Sequence, residues 1–243
     1  MASGLTGNCY LCGKEFGKTA VRNHLMKVHN NQTGGQKCCL LKIEGAYNKD
    51  YWLYIDVPVT SALSGVDAFL RKIWLECCGH MSAFFGPGHA QVSKNRKLDA
   101  FSVGDKLLHE YDFGSTIETL ITVIGETTRK TQKESVRLLA RNIPPVFSCC
   151  SCVESATVLC TECIFDSDNP FFCQKCGEAH EHVDMMLAVS NSPRMGVCGY
   201  EGELDIFTFN PQPSQKKRDH LNYPIEYSGE GQDFDLLFLF FYS

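Results

Sequence analysis

The sequence predicts an α+β fold: a central mixed α/β domain flanked by an N-terminal ββα zinc finger and a C-terminal zinc-binding module of cross-brace or ribbon type. Three observations carry this expectation. A two-Cys/two-His stretch opens the chain, alternating apolar segments around one amphipathic helix fill its middle, and three Cys-x-x-Cys pairs follow a break at Pro144-Pro145. These boundaries divide the chain into residues 1–36 (finger and linker), 37–146 (core), 147–205 (Cys/His-rich module) and 206–243 (tail).

The finger is CYLCGKEFGKTAVRNHLMKVH, Cys9 to His29. Cys9 and Cys12 offer two thiolates from one tight turn. His24 and His29, five apart, place two imidazoles on one helix face, which completes a closed tetrahedral set suited to structural zinc. Phe16, Val21 and Leu25 form the small core of a unit too short to fold without its metal. With His24 as helix position 7, the base-reading positions −1, 3 and 6 fall on Gly17, Ala20 and Asn23. Glycine has no side chain and alanine reaches at most a thymine methyl, so Asn23 alone could pair with a base. Lys18, Arg22 and Lys27 are instead suited to phosphates, which give affinity without sequence information. Gly17-Lys18-Thr19 ends like a phosphate-binding loop, but Cys12 stands where that motif needs its first glycine.

In the middle region Lys37–Ile43 and Tyr51–Val57 read as strands, the second with Trp52, Tyr54 and Asp56 opposite Tyr51, Leu53, Ile55 and Val57. Ala62–Cys77 predicts a helix, its apolar face traced by Leu63, Val66, Phe69, Leu70, Ile73, Trp74 and Cys77, with Gly79 placed to end it. Cys77 on that face reads as a structural core cysteine, although Cys77-Cys78-Gly79-His80 also brings thiols beside an imidazole. Gly86–Lys97 reads as a loop. Strands follow at Lys106–Phe113, Ile117–Gly125 and Ser135–Arg141, the middle one lacking clean alternation and so expected to be buried on both sides.

The second cysteine cluster holds Cys149/Cys152, Cys160/Cys163 and Cys173/Cys176, followed by His180 and His182, enough ligands for two tetrahedral zincs. Its spacing resembles a B-box-like cross-brace. That resemblance implies Cys149, Cys152, Cys173 and Cys176 on one ion and Cys160, Cys163, His180 and His182 on the other. His180-x-His182 is tighter than such modules usually have, which leaves Cys150 and Cys198 as substitutes for one histidine. With the finger, about three zincs per chain are expected.

Composition narrows the rest. The chain of 243 residues carries a formal charge of −5, yet residues 1–49 hold seven Lys/Arg against Glu15 and Glu44. A basic head on an acidic body suits a polyanion contact at one end. Met1–Gly7 lacks the charged and apolar regions of a signal peptide, and the longest apolar run, Leu236–Tyr242, is far short of the roughly 20 residues that span a bilayer. A cytoplasmic protein (nuclear in a eukaryote) without membrane contact is expected, its fourteen cysteines serving as thiolates rather than disulfides.

FLRKIWLECCGHMSAF (Phe69–Phe84), LHEYDFGST (Leu108–Thr116), VRLLARN (Val136–Asn142) and NSPRMGVCGY (Asn191–Tyr200) resemble the Ri-plasmid ORF-three-like family over about Lys37–Asp205. That family includes many archaeal and bacterial proteins and passenger proteins of insertion sequences. The resemblance implies an α+β fold with no catalytic activity to carry over, the finger and second cluster being additions found on a subset. The family's YDFG block is usually followed by Asp, Trp and His, where this chain has Ser115, Thr116, Ile117 and Glu118. Asp112-Phe113-Gly114 also mimics a kinase magnesium motif, but no glycine-rich loop or His-Arg-Asp accompanies it.

Three functional readings follow. The first is a non-catalytic zinc protein contacting nucleic acid with little sequence specificity, accessory to a mobile genetic element, through Lys18, Arg22, Asn23 and Lys27. The second is a protein–protein adaptor working through the B-box-like module. The third is a metal-dependent hydrolase in which Glu110 and Asp112 share one face of a strand.

Overall fold

The computed structural model describes residues 5–30, 35–130, 135–167, 169–202 and 207–209. The fold is α+β, a large antiparallel sheet with few helices. Most of the expected tail, 206–243, lies outside the described residues, as does most of the linker.

The chain begins with β1 (Thr6–Cys9), β2 (Glu15–Gly17) and α1 (Lys18–Val28). The core adds β3 (Gln36–Gly45) and β4 (Trp52–Pro58), then α2 (Leu63–Leu70), which runs into one π turn over Arg71–Leu75. Strands β5 (Ser82–Phe85) and β6 (Gln91–Val92) follow, the latter inside the stretch expected to be loop. Then come β7 (Lys106–Tyr111), β8 (Ile117–Arg129) and β9 (Arg137–Asn142). The Cys/His-rich region contributes β10 (Val158–Cys160), β11 (Phe171–Phe172), α3 (Gln174–Glu178) and β12 (Met186–Ala188).

Nine strands form one sheet in the order β2-β1-β9-β4-β3-β8-β7-β5-β6, and β11-β10-β12 form a second. The N-terminal hairpin is therefore continuous with the core. Strand β1 pairs with β9 through Gly7↔Asn142, Asn8↔Arg141 and Cys9↔Ala140. Gly7 permits that approach, since a Cβ there would lie 2.1 Å from the Arg141 carbonyl oxygen and 2.5 Å from the Trp52 ring.

This arrangement buries both faces of the central strands. Leu53, Ile55 and Val57 of β4 pack with Leu63, Val66, Leu70 and Trp74 on one side. Trp52 and Tyr54 of the same strand pack with Val21 and Leu25 of α1, together with Leu40 and Leu139, on the other. Side chains alternate across a strand, so a helix is needed on each face to dry all of β4, and α1 supplies the second. Asp56, fully buried in β4, is held by Arg129 at 2.8 Å and by Arg137.

The predicted helix Ala62–Cys77 is shorter than expected. Its α-helical part ends at Leu70, the π turn closes at Leu75, and Glu76 is extended. Apolar spacing does not distinguish the two helix types, because Ile73 and Trp74 stay buried through the wider turn. Cys77 falls beyond the helix and is only half-buried, so it is not the core cysteine its spacing suggests.

The segment after the Cys/His-rich region returns to the core. Asn191 donates from Nδ2 to the Asn142 carbonyl at 2.9 Å and accepts from Asn142 Nδ2 at 2.6 Å. Ser192 Oγ donates to the Trp74 carbonyl at 2.6 Å, and the Tyr200 hydroxyl donates to the Ile73 carbonyl at 3.3 Å. Both carbonyls belong to the π turn, whose end this segment satisfies.

Candidate metal centres

Four groups of cysteine and histidine among the described residues bring their ligand atoms within 4.8 Å of one another and could hold metal ions. A tetrahedral zinc with metal–sulfur bonds of about 2.3 Å and metal–nitrogen bonds of about 2.0 Å requires ligand–ligand edges of roughly 3.3–3.8 Å.

Cys9, Cys12, His24 and His29 form the first group. Cys9 Sγ lies 3.6 Å from His29 Nε2, Cys12 Sγ lies 3.2 Å from His24 Nε2, and the two Nε2 atoms are 3.0 Å apart. The β1–β2 turn presents the thiols and α1 the imidazoles. Gly13 keeps that turn tight with φ of 73°. Phe16 stacks on His24 at 4.3 Å between centroids, which holds the ring in place. Burial pushes the Cys9 thiol up to about 11, and burial also lowers both histidines, keeping the imidazoles neutral. Neutral rings are the form that binds metal, whereas a buried thiol stays protonated until a cation compensates it.

The second cysteine cluster separates into two groups. Cys149, Cys152, Cys173 and Cys176 come together, with Cys152 and Cys173 sulfurs 3.6 Å apart. Crowding by Cys173 and Cys152 pushes Cys176 up to about 12, as expected of thiols that cannot all ionise without a positive centre. Cys160, Cys163, His180 and His182 form the other group. Cys163 Sγ is 3.2 Å from His180 Nε2 and 3.7 Å from His182 Nδ1. The use of opposite ring nitrogens lets histidines only two residues apart converge. The tight His-x-His spacing therefore does not force a replacement. Cys150 is exposed beside Ser151, and Cys198 lies in another group. The buried apolar complement here is small: Cys149, Cys160, Phe172 and Cys173.

Cys77, Cys78, His80 and Cys198 make the fourth group, which the spacing of the sequence did not single out. The signal was present in Cys-Cys-x-His followed far downstream by an unassigned cysteine. Its two parts are 118 positions apart from His80 to Cys198, a distance that no local spacing rule bridges.

The candidate nucleic-acid residues all lie on or beside α1. Arg22, Asn23 and Lys27 are exposed, as are Thr19 and Ala20. Lys18 is partly engaged: its ammonium donates to Glu44 at 2.7 Å and to the Lys49 carbonyl at 2.9 Å. A cleft beside the start of α1 is lined by Lys18, Thr19, Lys49, Asp50 and Trp52.

Glu110 and Asp112, the carboxylates considered for hydrolysis, face different partners. Glu110 lies 3.2 Å from His89 Nε2. Asp112 follows the end of β7 with φ of 65° and accepts from Arg194 at 2.8 Å and from the Gly114 and Ser115 amides. Those bonds, led by Arg194, hold its carboxyl below the usual carboxylate range. Neither residue belongs to a metal group among the described residues. A separate cluster joins Asp67 to His109 at 2.8 Å, Ser82 at 2.6 Å and Lys94 at 3.1 Å.

No helix among the described residues is long and apolar enough to cross a membrane. No family model matches the chain, and no curated protein does. Among solved structures the chain is similar to a protein of unknown function from Methanosarcina mazei Go1. That likeness has 18% identity and a TM-score of 0.39, and covers 44% of this chain and 70% of the other.

Proposed function

We propose that this chain is a non-catalytic protein, stabilised by zinc at the finger and at the two groups of the second cluster, that contacts nucleic acid with little sequence specificity. The observation that carries the reading is the outer face of α1, where Arg22, Asn23 and Lys27 are exposed while the opposite face is buried against the sheet. Cationic side chains presented without base-reading neighbours favour phosphate contacts: Gly17 and Ala20 hold two of the three base-reading positions and have nothing to offer a base edge. The basic balance of residues 1–49 supports the same end of the molecule as the contact surface. The zincs act structurally in this reading, since four protein ligands leave no open coordination position. The resemblance to a family that includes insertion-sequence passengers favours a role accessory to a mobile element.

Titrating unrelated DNA and RNA duplexes over a range of salt concentration tests this. The double variant Arg22→Ala/Lys27→Ala is expected to lower the slope of log affinity against log salt by about 2, leaving the relative affinity for different sequences unchanged. Absence of binding by the wild type at low salt overturns the proposal.

A further inference from the structure

We infer that Cys77, Cys78, His80 and Cys198 form a fourth zinc site, a Cys3His centre that fastens the segment following the Cys/His-rich module to the core. Nothing in the three-zinc reading requires it.

Three of the four separations fall in the range of a closed tetrahedral ion, and the fourth, Cys78 to His80, is tighter. Cys78 Sγ lies 3.6 Å from both Cys77 Sγ and Cys198 Sγ and 2.9 Å from His80 Nε2, and Cys198 Sγ lies 3.7 Å from the same nitrogen. Gly79 turns the chain between Cys78 and His80 with φ of 81°, which brings the imidazole back to the Cys78 sulfur. Cys198 also takes a left-handed backbone, with φ of 57°. A non-glycine residue held there is aimed by its surroundings at a particular target.

The surrounding shell is built for a metal with this ligand set. Three thiolates and one divalent ion leave one net negative charge. The guanidinium of Arg194, itself fully buried, stands between that charge and the Asp112 carboxylate, with Nη2 donating to Cys77 Sγ at 3.3 Å and to Asp112 at 2.8 Å. His80 turns Nε2 toward the sulfurs, which leaves Nδ1 facing Asp112 Oδ1 at 3.4 Å. A carboxylate beside the second nitrogen of a ligating histidine fixes its tautomer and ring orientation. Asp112 is thereby a positioning residue rather than half of a hydrolytic pair, and Arg194 comes from the same returning segment as Cys198. The ligands thus unite the connection between the π turn and β5 with the segment around residue 198.

Native mass spectrometry of the full chain, loaded with zinc and freed of loosely held ion, reads the site directly. Wild type should carry four zincs and Cys198→Ser one fewer. Cys198 is exposed and outside the other groups, so a folded variant is expected, checked by its far-ultraviolet dichroism. Should that variant misfold, the more conservative Asp112→Asn supplies the readout: competition with a chelator should show one zinc held about 10- to 100-fold more weakly. Equal zinc content in wild type and Cys198→Ser, or unchanged affinity of every zinc in Asp112→Asn, overturns the fourth site. A wild type lacking zinc at the finger or the second cluster, with one ion still lost on changing Cys198, would instead overturn the three-zinc reading alone.

Discussion

The hydroxyl of Ser192 donates to the carbonyl of Trp74 at 2.6 Å, linking two positions 118 residues apart in a fully buried contact. The acceptor sits in the last turn of the π segment, where no further helical amide is available to it. Ser192→Ala should therefore destabilise the protein by about 1–3 kcal/mol, because a buried carbonyl is left without its donor. Urea unfolding followed by tryptophan fluorescence measures this. A change within about 0.5 kcal/mol, the range of ordinary surface substitutions, would show that the contact is dispensable.

Acid should weaken the fold in two steps. Burial keeps His109 below its ordinary value despite the opposing pull of Asp67, while Lys94 and Arg71 nearby push in the same direction as burial. The native ring is neutral, donating from Nε2 to Asp67 with the Thr119 hydroxyl 3.4 Å from Nδ1. The unfolded chain protonates this histidine below about pH 6.5 and the native one does not, so stability falls as pH drops through that point. Burial alone would raise Asp67, but bonds from His109, Ser82 and Lys94 hold it well below the carboxylate range. Its contribution is present above about pH 4 and is lost on further acidification. Unfolding between pH 7.5 and 5.5 should be flatter in His109→Gln than in wild type, by up to about 1.4 kcal/mol per pH unit. Parallel profiles would contradict the neutral, buried ring.

Chelation should divide the molecule. Beyond Leu159, Phe172 and its own cysteines the second cluster has little apolar interior, with Val158 and Met186 only partly buried against it, whereas the large sheet has an extensive core on each face. After exhaustive removal of metal, amide exchange over residues 149–188 is expected to approach that of an unfolded chain, with β3 and β4 remaining protected. Retained protection in residues 149–188 would mean that metal does not hold this region.

The sheet core could be read from the residues, because Tyr51–Val57 combines β-branched and aromatic side chains at strand spacing and Lys37–Ile43 is a short apolar run set between lysines. The donors of the finger and second cluster were recognisable for a similar reason, because their spacing in the sequence is local: Cys-x-x-Cys pairs in tight turns and histidines two or five residues apart. What the sequence concealed is non-local. Pairing of Gly7 with Asn142 uses backbone groups that every residue carries, so nothing at either position announces it. The same holds for Cys198, whose partners lie more than a hundred residues earlier. Periodicity also ran on past the true end of the helix, since a π turn buries Ile73 and Trp74 as an α turn would.

The ladder between β1 and β9 has a practical corollary for anyone trimming this protein. The first thirty residues are not a portable cassette: excising them would strip the ladder from one side of β9, creating a bare sheet margin. It would also wet Leu40, Trp52, Tyr54 and Leu139 together. An unpaired strand beside a greasy patch is a template for self-association, so a shortened version should aggregate more readily than the longer one.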